Sequence, residues 1–131
     1  MSKKVILVTG GQRSGKSGYA QRLALSLSPN PVYLATSRIW DEEFRKRVER
    51  HQRDRGPEWT NIEEEKYLSR HDLTDRVVVI DCVTLWGTNF FFDNPSDVEL
   101  SLSLLKAEFD KLSRQDAYLI FVTNELGMGG V

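Results

Sequence analysis

The stretch that decides the fold is Gly10–Ser17, GGQRSGKS, which follows the apolar run Val5–Thr9, VILVT. Its G-x-x-x-x-G-K-S spacing matches the phosphate-binding loop (P-loop) that joins a strand to a helix. In such a loop the glycines let backbone N–H groups surround a phosphate, and the N-terminus of the following helix favours bound anions. The lysine adds a mobile positive charge and the serine offers a hydroxyl to Mg²⁺. The sequence therefore predicts that this loop holds the phosphates of ATP or GTP.

Apolar runs and helical periodicities alternate along the rest of the chain. Val5–Thr9 is predicted to be a buried parallel strand, because it is short, rich in β-branched residues and bounded by glycines. Further strands are predicted at Val32–Thr36, Val77–Ile80 and Ala117–Thr123, with a short one at Trp59–Ile62, and helices after the loop, over residues 41–53 and over Asp97–Leu112. The last helix carries an apolar stripe that includes Leu100 and Phe109 and is predicted to be core. Alternating strands and helices indicate a three-layer α/β fold with a mainly parallel sheet.

Size and composition fit a single domain spanning residues 1–131, of which 40% are hydrophobic and 28% charged. The net charge of −1 gives no support for a nucleic-acid or membrane-surface partner, which usually requires a basic excess. A single cysteine, Cys82, fits a reducing compartment. The apolar run near the start is too short for a signal peptide or a membrane span. We therefore expect a cytoplasmic protein.

Two further positions narrow the class of P-loop protein. Asp81 follows an apolar strand, as expected for the acidic residue that orients Mg²⁺; the alternative is a carboxylate that only caps a turn. Cys82 stands where many ATPase motors have a glutamate, so a motor is disfavoured. The segment 124–127, NELG, lacks the aspartate of a guanine-recognition motif, and this disfavours a switch GTPase.

His51 is the candidate nucleophile. With Phe44 and Val48 it shares one face of the predicted 41–53 helix, and that face is otherwise apolar. A partly buried, hydrogen-bonded histidine explains this spacing. The alternative is a neutral imidazole that attacks a nucleotide's α-phosphate and forms a covalent phosphoramidate, although spacing alone favours the structural histidine. The spacing leaves both interpretations open, whereas His71 is typical of a surface turn.

Several motifs follow the loop in a fixed order, namely YLATS at 33–37, Arg47-Val48-x-x-His51, Trp59 and VTNELGMG at 122–129. Over essentially the whole chain this closely resembles the bifunctional adenosylcobinamide kinase / adenosylcobinamide-phosphate guanylyltransferase family of cobalamin biosynthesis. The resemblance implies a RecA-like P-loop sheet, a homotrimer and two successive reactions. ATP or GTP first phosphorylates the aminopropanol hydroxyl of adenosylcobinamide. GMP is then transferred from GTP to that phosphate, giving adenosylcobinamide-GDP and pyrophosphate.

The resemblance also implies roles for individual residues. His51 matches the histidine that carries GMP, and Lys16 is the second catalytic candidate. On the physical argument above, Ser17 and Asp81 hold Mg²⁺. The nucleotide-contacting positions are Gly10, Gly11, Gln12, Arg13, Ser14, Gly15, Lys16, Ser17, Ala35, Thr36, Ser37, Gln52, Arg53, Asp54, Arg55, Glu63 and Thr84.

Two departures from the family pattern stand out. Arg50 occupies the place where relatives often carry a second histidine, so no rival stands beside His51. The chain ends at Val131, where relatives continue for another strand or two and a helix, and we expect those C-terminal elements to be lacking. Two other functions remain open: a P-loop kinase of another small alcohol or nucleoside, with His51 structural, and a non-catalytic nucleotide-binding module.

Overall fold

The computed structural model describes residues 4–9 and 16–123. The strands are β1 (Lys4–Val8), β2 (Val32–Ala35), β3 (Thr60–Glu63), β4 (Val77–Asp81) and β5 (Tyr118–Val122). The helices are α1 (Lys16–Leu27), α2 (Glu42–Arg55), α3 (Val83–Asp93) and α4 (Val98–Ser113), with a 3₁₀ turn at Leu68–Arg70. The sheet order is β1-β5-β4-β2-β3 and every pairing is parallel. The predicted α/β class with a parallel sheet is confirmed.

Side-chain alternation gives the sheet two apolar faces. In β2 and β4 the even-numbered residues, such as Leu34 and Ile80, pack with Trp86 and Phe90 of α3. The odd-numbered residues, such as Tyr33, pack on the opposite face with Ala20 and Ala24 of α1. Because helices cover both faces, the molecule has the three layers that the sequence predicts.

Strand β1 is less buried than the sequence predicts. It pairs in parallel with β5 along its whole length, yet Val5 is 45% and Leu7 59% exposed. The prediction of a buried strand is wrong, because among the described strands β1 lies at the edge of the sheet and has β5 as its one neighbour. Only its other face, with Ile6 and Val8, packs toward α1.

The stripe on α4 is only partly core. Leu112 is buried and Leu104 and Leu105 pack against the core. Leu100 is 43% and Phe109 38% exposed, so the prediction of a core stripe holds for only part of it. The inward face instead includes two polar residues, Ser101 and Glu108. The Glu108 carboxylate accepts a hydrogen bond of 2.7 Å from the Ser69 backbone N–H, which explains its burial, since a buried polar group requires a partner.

The helix α3 is absent from the sequence-based prediction. It begins after Cys82, whose sulfur accepts a weak hydrogen bond from the Leu85 N–H at 3.4 Å, and it ends before Asn94.

Within the described part of the chain, none of the helices combines the length and the apolar character that crossing a bilayer demands.

Candidate active site

A cleft opens at the carboxyl ends of β2 and β4, on the sheet face that α1 covers. Parallel pairing places Ala35 opposite Asp81, and alternation along β2 puts Tyr33 and Ala35 on one side of the sheet. Ser37 continues this alternation and also lines the cleft, whereas Thr36 between them is fully buried. Ligands of open α/β sheets bind at such strand ends, so this cleft is the candidate site.

Helix α2 forms one wall of the cleft. The Asp41 carboxylate caps its start by accepting a hydrogen bond of 2.8 Å from the Phe44 N–H. Acidic residues occupy its first turn and Arg53 and Arg55 its last, which suits the helix dipole at both ends. It ends at Gly56, whose φ of 98° is readily adopted by glycine. No residue of α2 is buried, so its side chains are presented to the cleft and to solvent.

Two cavities in the cleft share His51 as a lining residue. The first, of about 190 Å³, is lined by Tyr33, Ala35, Ser37, Phe44, Arg47, Val48, His51, Arg55, Asp81 and Leu85. The second, of about 430 Å³, is lined by Gly18, Gln21, Tyr33, His51, Asp54, Arg55 and Asp81. The common face of Phe44, Val48 and His51 is therefore confirmed. His51 lies where a space beside the start of α1 adjoins a space along α2.

Tyr33 joins the two charged groups of this cleft. Its hydroxyl donates a short hydrogen bond to Oδ2 of Asp81, and the guanidinium carbon of Arg55 lies 3.6 Å from its ring centroid. Trp59 supports the ring edge-on, with 5.9 Å between centroids. Arg55 is held a second time by Asn61, whose side-chain oxygen accepts from Nε at 3.2 Å and from Nη2 at 2.7 Å.

Burial lowers the pKa of Arg55 below its usual value, because desolvation disfavours the charged guanidinium. Tyr33 and the carboxylate of Asp81 act in the opposite direction. An arginine nevertheless stays protonated in proteins. The cleft therefore contains a partly desolvated cation beside His51, and such a cation attracts phosphate oxygens more strongly than one in bulk water.

Several residues that the sequence predicts as nucleotide contacts do not line the two cavities. The Thr36 hydroxyl is used inside the protein, where it donates to the Cys82 carbonyl at 2.8 Å and accepts from the Cys82 N–H at 2.9 Å. Glu63 forms an ion pair of 3.1 Å with Arg45. Three more described residues that the sequence predicts as contacts, namely Gln52, Arg53 and Thr84, are not among those that line the two cavities.

The phosphate loop itself, residues 10–15, lies outside the described residues. The predicted contacts at Gly10, Gly11, Gln12, Arg13, Ser14 and Gly15 therefore stay predictions. Lys16 and Ser17 are described as the first two residues of α1. The predicted order of strand, loop and helix is thus present on both flanks of the loop.

Asp81 fits the predicted Mg²⁺ role. Its carboxylate borders both cavities at the end of β4. Mg²⁺ is usually held by one or two carboxylates together with waters and substrate phosphates rather than by a closed protein cage. Residues 4–9 and 16–123 contain no group of three or more His, Cys, Asp or Glu side chains placed to bind a metal. A single carboxylate at this position suits a site shared with nucleotide phosphates, and the contribution predicted for Ser17 stays a prediction.

Sequence reasoning missed Tyr33, Arg47 and Leu85 as lining residues. Tyr33 had an available signal, because it precedes Ala35 by two residues on a strand and must share its face. Arg47 is one helical turn before His51, so helical spacing also predicts that both face the same cavity. Leu85 belongs to α3, and its position follows only from the tertiary fold.

A parallel α/β sheet with a phosphate-loop sequence after β1, and with a cleft at the strand ends that Arg47 and Arg55 line, defines a nucleotide-binding P-loop protein. The family model described as cobinamide kinase / cobinamide phosphate guanyltransferase matches residues 6–131. This chain belongs to that family. The resemblance inferred from the sequence motifs is confirmed.

Individual relatives agree with this assignment. The chain is similar to the bifunctional adenosylcobalamin biosynthesis protein CobU of Escherichia coli (strain K12), with 37% identity over 140 residues, 95% of this chain and 77% of the relative. The protein of the same name from Salmonella typhimurium (strain LT2) is 34% identical over the same shares. The bifunctional adenosylcobalamin biosynthesis protein CobP of Pseudomonas aeruginosa is 33% identical, covering 95% of this chain and 73% of the relative.

Proposed function

We propose that this chain is a two-step transferase, which phosphorylates adenosylcobinamide with ATP or GTP and then transfers GMP from GTP to the new phosphate. Family membership supports both activities. The structural observation that carries the proposal is the position of His51, which lines two adjoining cavities together with Arg55 and Asp81. A nucleophile, a cation and a carboxylate thus face a common space beside the first turn of α1.

In the kinase step the substrate hydroxyl attacks the γ-phosphorus of the triphosphate and the bond to the β-phosphate oxygen breaks. Phosphoryl transfer requires positioning and charge stabilisation more than acid–base chemistry. We assign positioning of the triphosphate to the loop 10–17, with Lys16 as its cation, and further nucleotide contacts to Ala35, Ser37 and Asp54 at the cleft. Asp81 and Ser17 would hold Mg²⁺, which would neutralise phosphate charge when bound.

In the guanylyl step the imidazole of His51 attacks the α-phosphorus of GTP. A phosphorus–nitrogen bond forms, the bond to the β-phosphate oxygen breaks and pyrophosphate leaves. A phosphate oxygen of the corrinoid then attacks the same phosphorus, the bond to His51 breaks and adenosylcobinamide-GDP forms. Arg55 lies in the same cleft, which supports a role for its guanidinium in stabilising the charge on the transferring phosphate. Covalent catalysis of this kind divides one difficult displacement into two easier ones.

A labelling experiment tests the nucleophile. Wild-type protein incubated with GTP labelled at the α-phosphorus is expected to retain acid-labile, base-stable label, whereas His51→Ala is expected to retain none. The chain has two histidines, and this gives a matched control. His71 contacts Glu64 at 3.0 Å and lines neither cavity, so His71→Ala is expected to label like the wild type.

The outcomes separate the alternatives. Label on His51→Ala would remove this residue from the mechanism. Phosphoryl transfer to another alcohol or nucleoside without any covalent nucleotide would favour a simple P-loop kinase. Tight GTP binding without covalent labelling of the protein and without transfer to any corrinoid would favour a non-catalytic module.

Two further properties belong to this proposal. The family resemblance supports a homotrimer, and the single cysteine supports a reducing, cytoplasmic location. Sedimentation equilibrium of the full chain measures the first: a mass near three times 15.1 kDa is expected, and a monomer at micromolar concentration contradicts it.

A further inference from the structure

The contacts of Tyr33 have no role in the reaction as described above. Its hydroxyl donates to the Asp81 carboxylate, and its ring lies under the Arg55 guanidinium. The side chain is only 7% exposed, yet it borders both cavities. One rigid side chain therefore contacts the proposed metal ligand and the cleft arginine at the same time.

We propose that Tyr33 is a positioning residue, which orients Asp81 through its hydroxyl and Arg55 through its ring. The inference rests on the proposed function, because it concerns how those two groups meet a nucleotide and its Mg²⁺. Tyr33 itself forms and breaks no bond in either step.

The contact of the Tyr33 hydroxyl with Asp81, which we call the hydroxyl arm, follows from the register of β2 and β4 in the sheet. Tyr33 lies opposite Val79 and two residues before Ala35, which lies opposite Asp81. The phenol therefore extends toward the carboxyl end of the sheet and reaches the carboxylate of the neighbouring strand. Because Trp59 packs edge-on against the ring, the hydroxyl has a fixed position. A hydrogen bond from a fixed donor restricts the rotation of the carboxylate and thus presents it to a cation in one orientation.

The contact of the Tyr33 ring with Arg55, which we call the ring arm, follows from the position of the guanidinium. An aromatic face attracts a guanidinium stacked upon it, more strongly where the pair is desolvated, and Arg55 is partly desolvated. Asn61 accepts from two of its N–H groups, out of five that a guanidinium carries. The Tyr33 ring thus holds the face of the guanidinium and Asn61 holds its edge. The planar group is therefore ordered before an anion binds, and it borders both cavities. Less conformational entropy is then lost when a phosphate binds.

Two substitutions separate the arms. Tyr33→Phe removes the hydroxyl and keeps the ring, whereas Tyr33→Leu removes both. Calorimetric titration with GTP in excess EDTA reports the Arg55 contribution, and the Mg²⁺ concentration that gives half-maximal enhancement of GTP binding reports Asp81. We expect Tyr33→Phe to raise that Mg²⁺ concentration about tenfold, equivalent to about 1.4 kcal/mol. We expect Tyr33→Leu to do the same and also to weaken metal-free GTP binding about tenfold.

A double-mutant cycle distinguishes positioning from ordinary core packing. If the hydroxyl acts through Asp81, Tyr33→Phe changes the Mg²⁺ requirement less than twofold when Asp81→Asn is already present, since coupled residues are non-additive. Circular dichroism and the urea midpoint check that each variant is folded. Should Tyr33→Leu not fold, Tyr33→Met, which fills the volume without an aromatic face, replaces it.

Each result decides something specific. An additive cycle, with tenfold effects in both backgrounds, would overturn the hydroxyl arm. If Tyr33→Phe binds GTP without Mg²⁺ as tightly as Tyr33→Leu, or as Tyr33→Met in its place, the ring arm is overturned. The double-mutant cycle uses neither the Leu nor the Met variant, so it tests the hydroxyl arm whether or not these two fold. Wild-type protein that binds no GTP would instead contradict the proposed function, a result distinct from both.

Discussion

Replacing Thr36 by valine tests whether this residue, predicted as a nucleotide contact, serves the fold. The substitution is nearly isosteric and exchanges only the hydroxyl for a methyl group. That hydroxyl donates to the Cys82 carbonyl at 2.8 Å and accepts from the Cys82 N–H at 2.9 Å. Both bonds lie in the buried interior, since Thr36 is 0% and Cys82 1% exposed. Valine therefore removes two buried hydrogen bonds, although the Cys82 carbonyl keeps the hydrogen bond of 3.1 Å that it accepts from the Trp86 N–H.

The cost falls mainly on the Cys82 N–H, which loses the Thr36 hydroxyl as its acceptor. Disrupting the hydrogen bond of a buried donor costs about 1–3 kcal/mol, so we expect Thr36→Val to lower the free energy of unfolding by about 1–3 kcal/mol. With a urea dependence of about 2 kcal/mol per molar for a small domain, the urea midpoint should fall by about 0.5–1.5 M. The matched control is Thr36→Ser, which keeps the hydroxyl and loses one methyl group worth about 0.8 kcal/mol.

Equilibrium urea unfolding, followed by tryptophan fluorescence and circular dichroism, measures both variants. The order of stability should be wild type, then Ser, then Val. A valine variant within about 0.5 kcal/mol of the wild type, or more stable than the serine variant, would refute the reasoning. Loss of GTP affinity in the serine variant at unchanged stability would show instead that the side chain serves the nucleotide.

Two further predictions concern polar groups remote from the cleft. Asp93 accepts from Arg38 and Lys66 at 2.7 Å each, and these hydrogen bonds lower its pKa from 3.8 to about 2. The ionised carboxylate therefore stabilises the fold at any pH above the pKa of Asp93 in the unfolded chain. This contribution is lost as the pH falls through the pKa of Asp93 in the folded protein. The stability difference between wild type and Asp93→Asn, measured by urea unfolding, should be full near pH 6 and shrink between about pH 4 and pH 2, and a difference independent of pH would contradict this. Glu108→Ala should cost about 1–3 kcal/mol, because it leaves the Ser69 N–H without its buried acceptor, while Glu108→Gln should retain most of that stability; equal losses in the two variants would argue against the hydrogen bond.

Local patterns sufficed to predict much of the fold. The runs at Val32–Thr36, Val77–Ile80 and Ala117–Thr123 are apolar over their whole length, which is typical of strands covered on both faces, and the structure places β2, β4 and β5 there. The position of Asp81 at a strand end, and of Phe44, Val48 and His51 on one face of α2, followed from period and spacing alone. These predictions depend on neighbours in sequence, which the sequence displays directly.

The features that sequence reasoning missed depend on contacts between distant segments. The segment Val83–Asp93 is apolar on most sides and contains Gly87 and Asn89, so no amphipathic period identifies α3. Asn89 is buried because its amide donates to the backbone carbonyls of Thr36 and Glu65 at 2.9 and 3.0 Å. Neither partner is near it in sequence. The exposure of β1 similarly depends on which strands neighbour it in the sheet.

The segment Ala35-Thr36-Ser37 explains how one short motif serves both fold and site. Ala35 and Ser37 line the cleft while Thr36 points into the opposite layer, where it holds the backbone of Cys82. This alternation ties the end of β2 to the residue that follows Asp81, so the carboxylate is placed by a contact on the other side of the sheet. A family match at Thr36 is therefore compatible with a purely structural side chain. Substitutions at 36 should act through stability, and substitutions at Ser37 through the nucleotide.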